Sequence, residues 1–144
     1  MRIQFIAAQD QARRHSIGCA TGEIGNKSLG TWVTLGDAME TLSTAKDIIA
    51  EEFRRGGFNA LQILLFGSRA RGDFDNRSDW DFFVTADKEL AFNERREIAG
   101  RIRWRLARAG LASDVIIRSA SAVSKAQKNT GCLAYYVFKE GIEL

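Results

Sequence analysis

From residue 37 onward, apolar and polar positions divide the chain into alternating helix-like and strand-like segments. The first segment has apolar residues at helical spacing, which predicts a helix that begins with a capping box at Asp37 and Glu40. Gly56 and Gly57 end it, because glycine adopts the left-handed C-terminal conformation without strain. The apolar stripe of this helix consists of Ala38, Leu42, Ala45, Ile49 and Phe53.

Three shorter apolar segments predict strands. Residues 61–66 are almost continuously apolar, as in a strand that is covered on both faces. Residues 79–84 alternate, which places Asp79 and Asp81 on one face of a second strand. Residues 115–117 predict a third strand, which Asp114 precedes.

Helical patterns separate and follow these strands. Residues 90–109 predict a helix that ends at Gly110, and its predicted buried stripe is Ile98, Ile102, Leu106 and Ala109. Residues 119–128 predict a short helix or turn, and residues 131–141 predict a final helix before a short tail. This alternation favours an α+β or α/β class with a small mixed sheet flanked by helices. We divide the chain into an N-terminal extension, residues 1–33, without a readable pattern, and one domain, residues 34–144.

The composition argues against several kinds of catalytic and metal site. The 144 residues contain no apolar run long enough for a membrane helix and no recognisable signal peptide, so we expect no membrane association and a cytoplasmic location. The single histidine, His15, argues against Ser-His catalysis and histidine-based zinc sites. The two cysteines, Cys19 and Cys132, have no metal-ligand spacing. Acid–base and metal chemistry must therefore depend on carboxylates.

A glycine–serine corner comes directly after the first predicted strand. Gly67 lets the backbone approach a phosphate closely, and Ser68 adds a hydroxyl and an amide donor. Arg69 and Arg71 can neutralise a triphosphate with planar, multidentate groups. A lone Gly-Ser is a common turn, so this corner is informative only in combination with the nearby aspartates. Together these four residues predict a nucleotide-binding site.

Two aspartates lie beyond the corner, separated from Ser68 by ten residues. Residues two apart on a strand lie roughly 6.6 Å apart on one face, so Asp79 and Asp81 can share one Mg²⁺ or a pair of them. Asp114, beside the third strand, is the candidate third carboxylate, either as a metal ligand or as the base that activates a hydroxyl. The pattern predicts catalysis by Asp79, Asp81 and Asp114 on a nucleoside triphosphate.

The string Gly67-Ser68, ten residues, Asp79-x-Asp81 resembles the motif of the polymerase-β-like nucleotidyltransferase superfamily. The longer string from Gly67 to Asp81 is similar to that of its minimal members, the MNT proteins, and the resemblance covers roughly residues 58–144. It implies the nucleotidyltransferase fold, with Gly67 and Ser68 on the triphosphate of ATP and Asp79 and Asp81 on Mg²⁺. It also implies Asp114 as the third carboxylate.

The same resemblance implies a function. Minimal members are commonly antitoxins paired with a HEPN-type toxin, and some transfer AMP from ATP to a tyrosine of that toxin. Two alternatives stay open: an antitoxin that only binds its partner, and a transferase that modifies a hydroxyl of a small molecule. The helix that contains Arg95–Arg108 is rich in arginine, so its outer face contacts RNA phosphate or an acidic partner surface, or is simply solvated.

Overall fold

The computed structural model describes residues 35–144, and the predicted N-terminal extension lies outside them. The helices and strands alternate as the sequence pattern predicts. In chain order they are α1 (Leu35–Arg55), β1 (Ala60–Phe66), α2 (Ser68–Arg71), β2 (Trp80–Ala86), α3 (Phe92–Arg108), β3 (Ser113–Ser119), α4 (Ala120–Ala126), α5 (Leu133–Glu140) and β4 (Ile142–Glu143).

The strands form one four-stranded mixed sheet in the order β3-β2-β1-β4. β1 pairs antiparallel with β2 and with β4, whereas β2 pairs parallel with β3. The parallel pair needs a crossover connection, which α3 supplies. The predicted small mixed sheet flanked by helices is therefore confirmed.

The two faces of the sheet bury different helices. Phe82 and Val84 of β2 point to the larger core, together with Phe53 of α1 and Ile102 and Leu106 of α3. Phe83 of the same strand points to a smaller cluster formed with α4 and α5. Burial on both faces explains why β1 and β2 are apolar almost throughout.

Three local predictions need correction. β2 begins at Trp80, so Asp79 precedes the strand. Asp37 lies inside α1, which already begins at Leu35, so it is not the predicted cap. In α3 the fourth buried position is Ala99 rather than Ala109, because Ala109 lies at the solvent-exposed end of the helix.

The predicted C-terminal tail forms a strand. Ile142 and Glu143 pair with Leu65 and Leu64 of β1, and the Leu144 amide donates to the Ile63 carbonyl at 3.0 Å. Pairing needs a partner strand that is distant in sequence, so the short segment gave no signal of its own. None of the helices within residues 35–144 is long and apolar enough to cross a membrane.

Candidate functional site

One end of the sheet gathers the predicted carboxylates. β1 ends where β2 and β3 begin, and the pairing places Phe66, Asp81 and Asp114 side by side in one row across three strands. Residues in one row point to the same face, and neighbouring strands lie about 4.8 Å apart. The sheet register thus brings Asp81 and Asp114 together although 33 positions separate them in the sequence.

Gly67 follows β1 directly and makes room for Asp81. Its backbone has φ 75° and ψ −157°, a region that is accessible almost only to glycine. A Cβ atom at this position would collide with Oδ2 of Asp81 and lie 3.2 Å from its Cγ. Glycine is therefore required both by its conformation and by the position of the Asp81 carboxylate.

Ser68 begins α2, a single helical turn. The Gly67 carbonyl accepts from the amides of Ala70 and Arg71, each at 3.1 Å, so the turn closes on the corner itself. The first amides of a helix have no partner within it and are suited to bind a phosphate. Ser68 thus lies at the corner, two positions after Phe66 in the row that contains Asp81 and Asp114.

The two predicted nucleotide-binding arginines lie in different surroundings. Arg71 is exposed, contacts Asp73 at 3.3 Å, and is close enough to Asp81 to lower the pKa of that carboxyl. Arg69 is half-buried, with its guanidinium 4.3 Å from the ring centre of Trp80 and 4.9 Å from that of Phe74. Arg71 therefore faces the carboxylates, whereas Arg69 packs between two aromatic rings.

Arg69 also forms a hydrogen bond with the loop that leads to Asp79. Its Nε donates to the Ser78 carbonyl at 2.9 Å, one residue before Asp79. Burial lowers the pKa of the Arg69 guanidinium, and the negative charges of Asp79 and Asp75 oppose this effect. Arg69 thus holds the backbone of the residue that precedes Asp79, and its predicted contact with the triphosphate stays a prediction.

The loop itself is an ordered turn. Asp75 accepts from the Arg77 amide at 2.8 Å, and the Ser78 hydroxyl accepts from the Asp75 amide at 3.0 Å. The Trp80 amide then donates to the Ala112 carbonyl at 2.9 Å, which begins the pairing with β3. Asp79 is therefore exposed but attached to fixed backbone on both sides.

The pKa of the Asp81 carboxyl is raised by its surroundings. Burial raises the pKa of Asp81, and the negative charges of Asp114 and Asp79 raise it further, whereas Arg71 lowers it. All three carboxylates thus act on one another at this end of the sheet. A positive ion among them would relieve the repulsion.

Asp114 is exposed and is held from two sides. Its Oδ1 accepts from the amide of Val115 at 2.9 Å and lies 3.5 Å from Nη1 of Arg103 on α3. The second contact is long and the side chain is largely exposed, so it restrains Asp114 only weakly. The Val115 amide therefore fixes Oδ1, whereas Oδ2 of Asp114 has no hydrogen bond or ion pair within residues 35–144.

The donor chemistry fits Mg²⁺ bound together with a nucleotide. Within residues 35–144, no three His, Cys, Asp or Glu side chains are grouped closely enough to hold a metal by themselves. Mg²⁺, however, usually takes one or two carboxylates and completes its shell with water and substrate phosphates. Asp79 and Asp81, next to the Gly67–Ser68 corner, match that requirement.

The sequence did not reveal what the arginines of α3 contact. Glu52 of α1 is fully buried and accepts from Arg101 at 2.9 Å and from Arg105 at 2.8 Å. Its pKa is raised by burial, but the arginine hydrogen bonds and charges outweigh this effect and lower it. The acidic compensation that α3 lacks is thus supplied by α1, and RNA contact by this helix stays a prediction. A glutamate one position before Phe53, on an otherwise apolar face, was the signal in the sequence.

Similar proteins were found among protein families and solved structures. The family described as polymerase beta, nucleotidyltransferase matches residues 46–144, and no curated protein matches the chain. A chain from a toxin–antitoxin crystal structure with AMP-PNP is 24% identical, with 68% of this chain and 70% of that chain covered and a TM-score of 0.46.

Two further solved structures are similar. One contains a tri-AMPylated Shewanella oneidensis HEPN toxin with an MNT antitoxin; it is 22% identical over 72% of this chain and 70% of that chain, with a TM-score of 0.44. The other is a mutant of the toxin–antitoxin MntA–HpeT; it is 25% identical over 69% and 70% of the chains, with a TM-score of 0.44. The assignment rests on the family match, which covers more than half of the sequence and includes the Gly67 corner and all three aspartates: this chain belongs to the polymerase β nucleotidyltransferase family.

Proposed function

We propose that the protein is a Mg²⁺-dependent enzyme that transfers AMP from ATP to a hydroxyl group. The observation that carries this proposal is the row of Asp81 and Asp114 beside the Gly67 corner, with Asp79 next to it. Family membership supports the reaction class, since nucleotidyl transfer requires a held triphosphate and anionic ligands for a metal.

Each residue has a role that its position allows. The amides and hydroxyl at Ser68 bind the outgoing phosphates, and Arg71 adds positive charge on the same side. Asp79 and Asp81 would hold Mg²⁺, which when bound neutralises charge on the triphosphate. Catalysis of this kind depends mainly on position and charge stabilisation.

Asp114 would receive the proton. The acceptor oxygen attacks the α-phosphorus, the bond from this phosphorus to the bridging oxygen breaks, and pyrophosphate leaves with that electron pair. The proton of the acceptor hydroxyl passes to a carboxylate oxygen of Asp114. Its exposure and its weak contact with Arg103 leave that oxygen accessible.

For the acceptor, we propose a hydroxyl of a HEPN-type toxin, with this protein as its antitoxin. The proposal rests on the similarity of the string Gly67–Asp81 to that of minimal nucleotidyltransferases, rather than on overall structural similarity. An antitoxin that only binds its partner, and a transferase for a small-molecule hydroxyl, are the alternatives.

The test is a transfer assay with labelled ATP, Mg²⁺ and a candidate HEPN-type toxin. Asp79→Asn and Asp81→Asn should abolish transfer, whereas Asp114→Asn should lower turnover by about 10²- to 10⁴-fold with ATP binding much less changed. Asp47→Asn, an exposed carboxylate on α1, is the matched control and should transfer normally.

The alternatives predict different results. Toxin neutralisation by wild type and Asp81→Asn alike, without labelled product, would replace catalysis with simple binding. Label transferred only to small hydroxyl compounds would exclude the protein acceptor. Full turnover by Asp114→Asn would remove Asp114 from the mechanism.

A further inference from the structure

A groove runs beside β3. It has a volume of about 490 Å³ and lies between the beginning of α3, the strand itself and the beginning of α5. Its walls are mostly apolar and include Phe92, Val115, Ile117 and Leu133. Phe92 and Leu133 are exposed, although large apolar side chains are usually covered. The groove therefore offers apolar surface to another molecule.

β3 is an edge strand. It pairs only with β2 among the described residues, so its outer backbone groups line the open side of the sheet. Two β3 groups in the groove already have a side-chain partner, which an added strand would replace: the Val115 amide donates to Asp114 and the Ile117 carbonyl accepts from Arg118 at 3.4 Å. Such an edge is a template for an added strand, because an extended segment can pair with it through main-chain hydrogen bonds. A groove with apolar walls on both sides of an edge strand fits a polypeptide in extended conformation.

The rim of the groove is positively charged. Arg95, Arg96 and Arg118 border it, and among residues 35–144 no aspartate or glutamate lines it, although Glu89 is close enough for its charge to act on Arg95. Among the described residues none of these three arginines has an ion pair within 4.0 Å, in contrast to Arg101 and Arg105 further along α3. Arg95 and Arg96 also lie near the beginning of α3, where the helix dipole disfavours positive charge. Arg95 lies over the Phe92 ring at 5.9 Å, so its side chain is directed along the groove wall. Positive charge at this rim favours an anionic partner.

We propose that this groove binds an extended, acidic segment of a partner protein, which adds as a strand to β3. Acidic side chains would face the three arginines, and apolar side chains would contact Phe92 and Leu133. The chain's own residues 1–34 do not suit the groove, because they contain four Lys or Arg against two Asp or Glu. RNA suits it less, since its backbone cannot pair with a strand edge.

The groove leads to the active site. β3 contains Asp114 as its second residue, one position before Val115 in the groove wall. A segment paired with β3 therefore passes beside Asp114, so we assign it to the protein that supplies the acceptor hydroxyl; this assignment rests on the proposed function. Binding itself requires neither ATP nor Mg²⁺ and can be measured separately from transfer.

The test uses the full chain without nucleotide and a fluorescein-labelled pool of short peptides in which Asp or Glu alternates with Val, Ile or Tyr. A second pool has Lys or Arg in place of the acidic residues. Fluorescence anisotropy should show binding of the acidic pool alone. Arg95→Glu with Arg96→Glu should weaken this binding about tenfold or more.

A double variant with the same change in net charge is the control. Arg54→Glu with Arg77→Glu alters exposed arginines on α1 and in the loop before Asp79, and it should bind the acidic pool as wild type does, apart from a small general charge effect.

Hydrogen exchange adds a structural readout: the acidic pool should slow exchange of the amides in β3. Melting curves by circular dichroism verify that both variants are folded.

Several results would overturn the proposal. These are equal binding of the two pools, equal loss in both double variants, and unchanged exchange in β3. A uridine oligonucleotide that binds through Arg95 and Arg96 while the peptides do not would assign the groove to nucleic acid. Peptide binding by a variant without transfer activity would support the groove even if the proposed reaction is wrong.

Discussion

At the scale of single residues, Gly67 connects the phosphate corner to the carboxylates. From the sequence, a side chain at this position would fill the space of the phosphate. The structure adds an earlier obstacle, since a Cβ atom collides with the Asp81 carboxylate before any nucleotide binds. Gly67 thus serves both halves of the site.

Gly67→Ala should therefore lower both stability and transfer. Its φ of 75° strains alanine, and the displaced Asp81 should reduce transfer by about 10²-fold or more, as misplaced groups commonly do. Gly72→Ala is the matched control, because Gly72 also has a positive φ, 84°, but open space where its Cβ would be. The melting temperatures and transfer rates of both variants distinguish the strain of the positive φ, which both share, from the collision with Asp81, which occurs only at position 67. Equal losses of activity would show that the strain alone matters.

Asp81→Asn should raise the melting temperature of the metal-free protein at pH 7. Burial and the neighbouring Asp114 and Asp79 raise the pKa of Asp81 above its unfolded value of about 3.9. The free energy of unfolding therefore decreases as the pH rises from about 4 through the folded pKa of Asp81. Below a pH of about 4 this loss of stability is absent. The increase in melting temperature of the variant over wild type should become smaller as the pH falls toward 4.

The check is a series of melting curves between pH 4 and 8 without divalent cations, with Asp47→Asn as an exposed control. Added Mg²⁺ and ATP should stabilise wild type and leave Asp81→Asn unchanged. A variant that melts below wild type at pH 7 would show that the Asp81 carboxylate stabilises the empty site.

At the scale of elements, Arg69 attaches α2 to the loop before Asp79. Arg69→Lys should lower kcat about tenfold and shift the Mg²⁺ dependence to higher concentrations, with little change in KM for ATP. Lysine cannot stack flat between Phe74 and Trp80 while it donates to the Ser78 carbonyl. Arg71→Lys is the comparison and should mainly raise KM. If Arg69→Lys instead raises KM for ATP alone, Arg69 binds the triphosphate as the sequence suggested.

The second connection between elements is the contact of Glu52 with α3. Glu52→Gln should destabilise the fold by about 3 kcal/mol, because it leaves Arg101 and Arg105 without their buried carboxylate. The lowered pKa of Glu52 means that this contribution is present above its unfolded value of about 4.3 and is lost as the pH falls through the folded pKa.

Urea unfolding followed by circular dichroism measures this difference. Glu51→Gln is the control: Glu51 contacts Arg105 at 2.8 Å but is half-exposed, so its loss should cost less than about 1 kcal/mol. Equal effects of the two substitutions would contradict a special role for the buried carboxylate.

At the scale of the whole molecule, the sheet places two surfaces along one strand. One end of the sheet contains the row of Asp81 and Asp114. The outer edge of β3 borders the groove that contains Arg95, Arg96 and Arg118. Within residues 35–144 the positive charge is distributed unevenly, because Arg101 and Arg105 of α3 are paired with Glu52 while the three arginines at the groove have no ion pair. This arrangement suits a protein that holds an anionic nucleotide at one place and an acidic partner beside it.

The sequence by itself determined the local elements and the family. Apolar spacing is set by the helical and strand repeats, so α1, α3 and the strands β1, β2 and β3 were predictable to within a few residues. The string from Gly67 to Asp81 predicted the family, because the spacing of glycine, serine and two aspartates is a local property of the chain.

Tertiary structure decided everything that depends on distant partners. No local pattern in the sequence predicts three of the observed contacts. These are the pairing of β4, the contacts of Glu52 with α3, and the place of Arg69 between Phe74 and Trp80. The same reason applies to Asp114: its sequence position suggested a role, but only the register of β3 on β2 places it next to Asp81. Residue types fix which groups can react, whereas strand pairing fixes which of them meet.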